Sequence, residues 1–193
     1  ELISANDPFG FDVRVENSYK RIKPIFKMGA FPNSVLFYYN GWKKEGVGYI
    51  EKSNIKKNVA WIDKYKVLIP KAWGIGNIRT DWINPFLVNP NSCCTETYLV
   101  IGPFDNKKTA ENVISYTQTK FFHMMVSLVK ITQNTMKNAY VFVPLQDFSK
   151  TWTNEELYKK YKLTKEEIEF IDTTIKSNTS EIQEEEIPDE SED

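Results

Sequence analysis

Two cysteines and one histidine in 193 residues exclude a good deal of chemistry. Cys93 and Cys94 are adjacent, a spacing whose backbone fits disulfide geometry badly. His123 lies thirty residues further on, so a zinc site is short of ligands. The two cysteines read as reduced thiols of a cytosolic protein. No apolar run reaches the roughly 18 residues that a membrane span needs, and no signal-peptide pattern opens the chain. It begins on Glu1 rather than Met and is expected to be a piece of something longer. Only eight glycines are present. Gly74-Ile75-Gly76 lacks the third glycine and the strand–turn–helix setting of a dinucleotide loop.

What the chain does have is aromatic and hydrophobic content, 14% and 41%, enough to fold one domain with a sizeable core. Its net charge of −1 hides an uneven distribution. Residues 181–193 hold eight acidic residues and no basic one, leaving +7 on the remainder. From Tyr19 to Arg79, 13 basic residues stand against three acidic ones, Glu45, Glu51 and Asp63. A surplus so concentrated points to a polyanion partner, although a solvated lysine-rich surface has the same composition.

Residues 1–18 read as an entry segment, with a turn in "NDPFGF". Short β-rich pieces follow: "IKPIFK", "SVLFYY", "VGYI" and "KVLIP". "YYNGWKKEGVGYI" is a hairpin candidate with Asn40-Gly41 as its turn. "NVAWIDKY" should form one or two helical turns, and residues 71–96 a long loop of the kind that binds something. "TETYLVIG" is expected to be a buried strand. Asp105 should cap one long helix whose apolar positions run from Ala110 to Leu128, and "AYVFVP" should return as a strand that stops at Pro144. Two capping boxes then appear, Thr153 with Glu156 and Thr164 with Glu167. They announce two short helices with apolar stripes Leu157, Tyr158, Tyr161 and Ile168, Phe170, Ile171, Ile175. Residues 177–193 read as an acidic, disordered tail.

Catalytic motifs are weak. Asn84-Pro85-Phe86 lacks the second proline of the motif that holds the target amine in adenine methyltransferases. His123 falls inside the expected long helix, where packing is its ordinary role. The acids cluster in helix caps and the tail rather than around a lysine, as a magnesium-dependent nuclease would need. Nucleic-acid contact fits better, because lysine and arginine neutralise phosphates while asparagine, glutamine and arginine read base edges. The candidates are Lys43 and Lys44; Lys52, Asn54, Lys56 and Lys57; Lys71, Trp73, Asn77 and Arg79; and Gln133, Asn134 and Lys137.

"VGYIEKSNIKKNVAWIDKYKVLIPKAWG", "CTETYLVIGPFDNKKTAENVISYTQTKFFHMMVSLVKITQ" and "YVFVPLQDFSKTWTNEELYKKYKLTKEEIEFI" together resemble the C-terminal target recognition domain of bacterial type II restriction–modification adenine-specific DNA methyltransferases. That domain is related in fold to the specificity domain of TaqI-like methyltransferases and to type I specificity subunits. The likeness covers about residues 5–176 and is most specific from Thr95 to Ile171. It implies an α+β fold: a curled, mixed β framework with one long helix and a C-terminal pair of short helices. It implies double-stranded DNA as partner, and an upstream methyltransferase domain of the same chain that holds S-adenosylmethionine. Magnesium would be needed if the parent also cuts DNA. Within the segment itself no cofactor, metal or catalytic residue is expected. The implied organisation is a linker over 1–18, the recognition domain over 19–150, the helical pair over 151–176 and the tail over 177–193. Base-reading residues are not supplied by the family, because they change with the target, so the candidates above rest on side-chain chemistry. The competing reading is a protein-interaction module that docks a partner subunit through the C-terminal helices.

Overall fold

The computed structural model describes residues 3–11, 26–72, 77, 81–130 and 135–176. Its strands are β1 (Phe26–Lys27), β2 (Ser34–Tyr38), β3 (Gly48–Glu51), β4 (Tyr65–Pro70), β5 (Phe86–Val88), β6 (Ser92–Cys94) and β7 (Tyr98–Phe104). Its helices are α1 (Trp42–Glu45), α2 (Lys107–Thr117), α3 (Lys120–Ser127), α4 (Asn154–Tyr161) and α5 (Lys165–Thr174). The class is α+β, as expected.

Two sheets form. One runs β1-β3-β2-β6 and is mixed, because β2 pairs antiparallel with β3 and parallel with β6. The other runs β5-β4-β7 and is antiparallel throughout. Successive residues of a strand face opposite sides, and here that splits the core in two. On β4 and β7, Val67, Ile69, Leu99 and Ile101 face the helices, among Val113, Tyr116, Phe122 and Leu157. Leu68, Val100 and Tyr98 face the other way and pack with Val35, Phe37 and Ile50 of the mixed sheet. The layers are therefore helices, three-stranded sheet and four-stranded sheet, with the middle layer buried on both faces. That is why "KVLIP" and "TYLVI" read as continuous apolar runs instead of alternating ones. Each fully buried leucine, isoleucine or phenylalanine stabilises this stack by about 1.5–3 kcal/mol.

Both capping boxes are present in full. Glu156 N donates to Thr153 Oγ1 at 3.3 Å, and Thr153 N donates back to Glu156 Oε2 at 3.0 Å. Thr164 and Glu167 repeat this at 3.2 and 2.8 Å. Leu157, Tyr158, Ile171 and Ile175 join the helix-side core. Phe170 does not; it is exposed, since it lies off the three-and-four spacing that puts Ile168, Ile171 and Ile175 on one face.

Several expectations change. The long helix is two, α2 and α3. The chain leaves helical geometry at Thr119, whose side chain accepts from Phe122 N and restarts the helix. Asn106, not Asp105, caps α2; Asp105 instead pairs with Lys64. Residues 71–96 are not one loop, because β5 and β6 lie within them. "AYVFVP" is not a strand: residues 137–140 make a 3-10 turn and no ladder follows. The outer edge of β7 is already occupied, by the Ile3–Ile101 bridge and by Ser4 N donating to Val100 O at 2.8 Å. The hairpin exists, yet Asn40-Gly41 do not close it as a two-residue turn. Residues 39–47 connect β2 to β3 through α1, entered at Gly41 with φ 99° and tied by Tyr39 Oη donating to Gly46 O at 2.9 Å.

Candidate nucleic-acid interface

Two groups of the candidate residues stand at opposite ends of the β2–β3 hairpin. At its tip, α1 presents Lys43 and Lys44 to solvent, and neither forms an ion pair among the described residues. The helical turn that carries them is short and would not hold by itself. Trp42 anchors it: the indole Nε1 donates to Tyr98 Oη at 3.0 Å, and the ring packs on Tyr38 and Phe86 at centroid distances of 5.1 and 5.3 Å. Phe86 in turn meets Tyr98 edge-on at 5.6 Å. Two lysines are thus fixed on an aromatic clamp that spans both sheets.

Beside this clamp lies a recess of about 310 Å³, lined by Asn40, Lys71, Glu96, Thr97, Tyr98 and Met136, with Pro70 and Ala72. Lys71, expected on an exposed loop as a phosphate ligand, is instead buried. It pairs through Nζ with Glu96 and also donates to Asn6 O at 3.2 Å. The two side chains are only 8% and 6% exposed. The backbone holds Lys71 in place from both sides, with Lys71 N donating to Thr97 O at 3.0 Å and Thr135 N donating to Lys71 O at 2.7 Å. Losing the ammonium would strand the Glu96 carboxylate, at a cost of about 3–5 kcal/mol.

The second group, Lys52, Asn54, Lys56 and Lys57, begins at the far end of β3, about 13 Å from the tip at the usual strand rise. Lys52 pairs with Asp63 at 2.9 Å and Lys57 with Asp7 at 2.8 Å, so two of its three cations carry their own carboxylates. Lys56 is exposed and donates to Ser53 O at 3.2 Å, while Asn54 is half-buried. Asn77 is exposed, and its backbone exchanges hydrogen bonds with Asp81. Lys137 is half-buried at the start of the 3-10 turn, one residue from Met136 of the recess. Trp73, Arg79, Gln133 and Asn134 lie outside the described residues.

Sequence reasoning does not single out Asn40, Glu96, Thr97 or Tyr98. A usable signal exists all the same: Glu96 stands at the mouth of an otherwise apolar strand, where an acid needs a partner. His123 is buried and stacks on Trp82 at 4.9 Å, a packing role. Burial pushes the Cys93 and Cys94 thiols well up, the opposite of what a nucleophile needs. Among the described residues, no group of three or more His, Cys, Asp or Glu side chains could hold a metal ion, and no helix is long and apolar enough to cross a membrane. No protein-family model matches the chain, and no curated protein or solved structure matches it either.

Proposed function

We propose that the chain binds double-stranded DNA, as the target recognition domain of an adenine-specific restriction–modification methyltransferase. The observation that carries this reading is the pair Lys43 and Lys44, exposed, without carboxylate partners among the described residues, and carried beside a polar recess on a turn anchored by Trp42. The sequence resemblance supports the same partner. In this reading the lysines of α1 grip phosphates, and polar side chains around the recess face base edges. The residues at 52–57 contribute less, because Asp63 and Asp7 neutralise two of their cations. Methyl transfer would belong to an upstream domain of the same chain with its S-adenosylmethionine, and any DNA cleavage to magnesium held elsewhere in the parent.

Duplex binding measured against salt tests this. Counterion release gives log K a slope near −0.9 per neutralised phosphate. A Lys43→Ala/Lys44→Ala variant should weaken binding at low salt and flatten the slope by about 2. Binding that ignores salt in the parent protein, or a variant with an unchanged slope, contradicts the reading. Lys71→Ala is not a clean probe, because it leaves Glu96 buried and unpaired.

A second reading rests on a different observation. Val141, Phe142 and Leu145 are 69%, 58% and 69% exposed beside an apolar cleft of about 370 Å³ floored by Ile101, Val113 and Phe122. Exposed apolar side chains around a cleft favour protein docking. The surface that this observation offers is formed by the 141–145 segment.

A further inference from the structure

We infer that the recess beside α1 is a nucleobase pocket, taking a single unstacked base against the Lys71–Glu96 pair. The inference deepens the DNA-binding reading and rests on it for the source of the base. Size comes first. At about 310 Å³ the recess is at the small end of ligand sites, suited to one heterocycle rather than to a side-chain cluster or a dinucleotide. Its chemistry is selective as well. A free phosphate would meet the Glu96 carboxylate, and an apolar group would seal a charged pair without satisfying it. Lys71 has a third ammonium proton beyond those given to Glu96 and Asn6 O, and Glu96 Oε1 accepts from no described residue. A donor and an acceptor thus stand together at the wall. Every base offers the complement, an acceptor beside a donor along its pairing edge. Tyr98 and Met136 supply apolar surface for the flat faces of the ring, and Trp42 fixes the Tyr98 ring in place.

A second observation is independent of the cavity. Asn6 Oδ1 and Thr135 Oγ1 are buried and have no hydrogen-bond partner among the described residues. Both residues are bonded to Lys71, Asn6 through its carbonyl and Thr135 through its amide. Buried polar atoms are nearly always satisfied, and unsatisfied ones mark strain or a site that awaits a group. Neither residue lines the recess itself, but both belong to the backbone framework that holds Lys71 at its wall.

The test uses the whole chain and two kinds of probe. The first is a duplex with one bulged 2-aminopurine, compared with the same duplex fully paired. The second is the free nucleosides adenosine, cytidine, guanosine and thymidine, followed at millimolar concentration through the amide resonances of Lys71, Thr97 and Tyr98. The bulged duplex should bind about tenfold tighter than the paired one, the scale of one base stacked on an aromatic side chain. Ala72→Trp and Met136→Trp fill the recess from two walls, and either should abolish the preference for the bulged duplex. Equal binding of bulged and paired duplexes without nucleoside shifts overturns the pocket and leaves the DNA reading standing. So does a preference that survives both tryptophans. If no duplex binds, the DNA reading fails, and the nucleosides decide the pocket: shifts at Thr97 and Tyr98 support it with a free base as ligand, and their absence overturns it too.

Discussion

Cys93 and Cys94 sit back to back in β6 with their thiols in the inter-sheet core, and the ammonium of Lys66 is buried nearby. Lys66 is closed off from solvent, and its Nζ donates to three carbonyls, Trp61 and Ile62 at 2.8 and 3.1 Å and Lys64 at 2.6 Å. Burial lowers its pKa to about 8 from an ordinary 10.5 and raises both thiols. The consequences for stability have opposite signs. A thiol that ionises only when unfolded favours unfolding once the pH passes its unfolded value near 9, by up to about 1.4 kcal/mol per pH unit for each. A lysine that sheds its proton more readily when folded is penalised below pH 8 and relieved as the pH climbs toward 10.5. The melting temperature of the parent protein should therefore fall above pH 9. In a Cys93→Ala/Cys94→Ala variant the fall should vanish, and stability should rise between pH 8 and 9.5. Adding Lys66→Met should remove that rise. Identical pH profiles for parent and double variant would show that the thiols do not titrate differently on unfolding. None of this coupling is legible in "KVL" and "SCC", because it depends on β4 and β6, in different sheets, facing one core.

At the scale of elements, local signals are reliable wherever they are self-contained. The two capping boxes each complete their hydrogen bonds within four residues, and both helices start where those residues put them. Thr153→Ala and Thr164→Ala should each lower the urea-derived stability by about 1 kcal/mol, and about additively, since the two caps share no partner. No measurable change in either variant would mean that packing of Leu157 and Ile171, rather than the caps, fixes these helices. Thr119→Ala makes the harder comparison. Thr119 starts α3 with only half a box, because Phe122 stands where a glutamate would close it. The apolar spacing runs straight through the break, and a pattern argument cannot see it. Thr119 Oγ1 also donates to Tyr116 O at 2.8 Å in a buried setting. Its loss should therefore exceed that of either box threonine and approach about 2 kcal/mol, the upper end for such caps. The missing strand at 139–144 has the converse cause. "AYVFVP" has strand composition, but a strand needs a free edge. Ile3 and Ser4, far earlier in the chain, hold the one on β7.

For the whole molecule, the layer order is only partly readable. The α+β class is what the sequence resemblance implies, and the local strand and helix signals agree with it, whereas the pairing of β2 with β6 and the double burial of β4 and β7 are long-range facts. The same holds for the candidate site. Charge marks Lys43 and Lys44 correctly as exposed cations. It also marks Lys71, whose neutralising partner Glu96 is remote in sequence, and Lys52 and Lys57, which have partners of their own. Charge counted along a chain sums over such pairs without seeing them. One consequence of the total survives this correction. The eight acids of 181–193 hold the molecule at −1, and a chain that ends at Lys176 carries +7. The cut spares the core, since Ile175 is the last buried residue among those described and Trp82 Nε1 reaches only as far as Lys176 O, at 3.2 Å. If DNA is the partner, those eight charges oppose its approach, with a Debye length of about 14 Å at 0.05 M salt and about 4 Å at 0.5 M. The shortened chain should bind a duplex several-fold tighter than the full chain at 0.05 M salt, with faster association, and the two should converge by 0.5 M. Equal affinity at low salt would mean that the acidic residues are kept away from the binding face. Weaker binding by the shortened chain would mean that they contribute to the contact, which a polyanion partner would not allow.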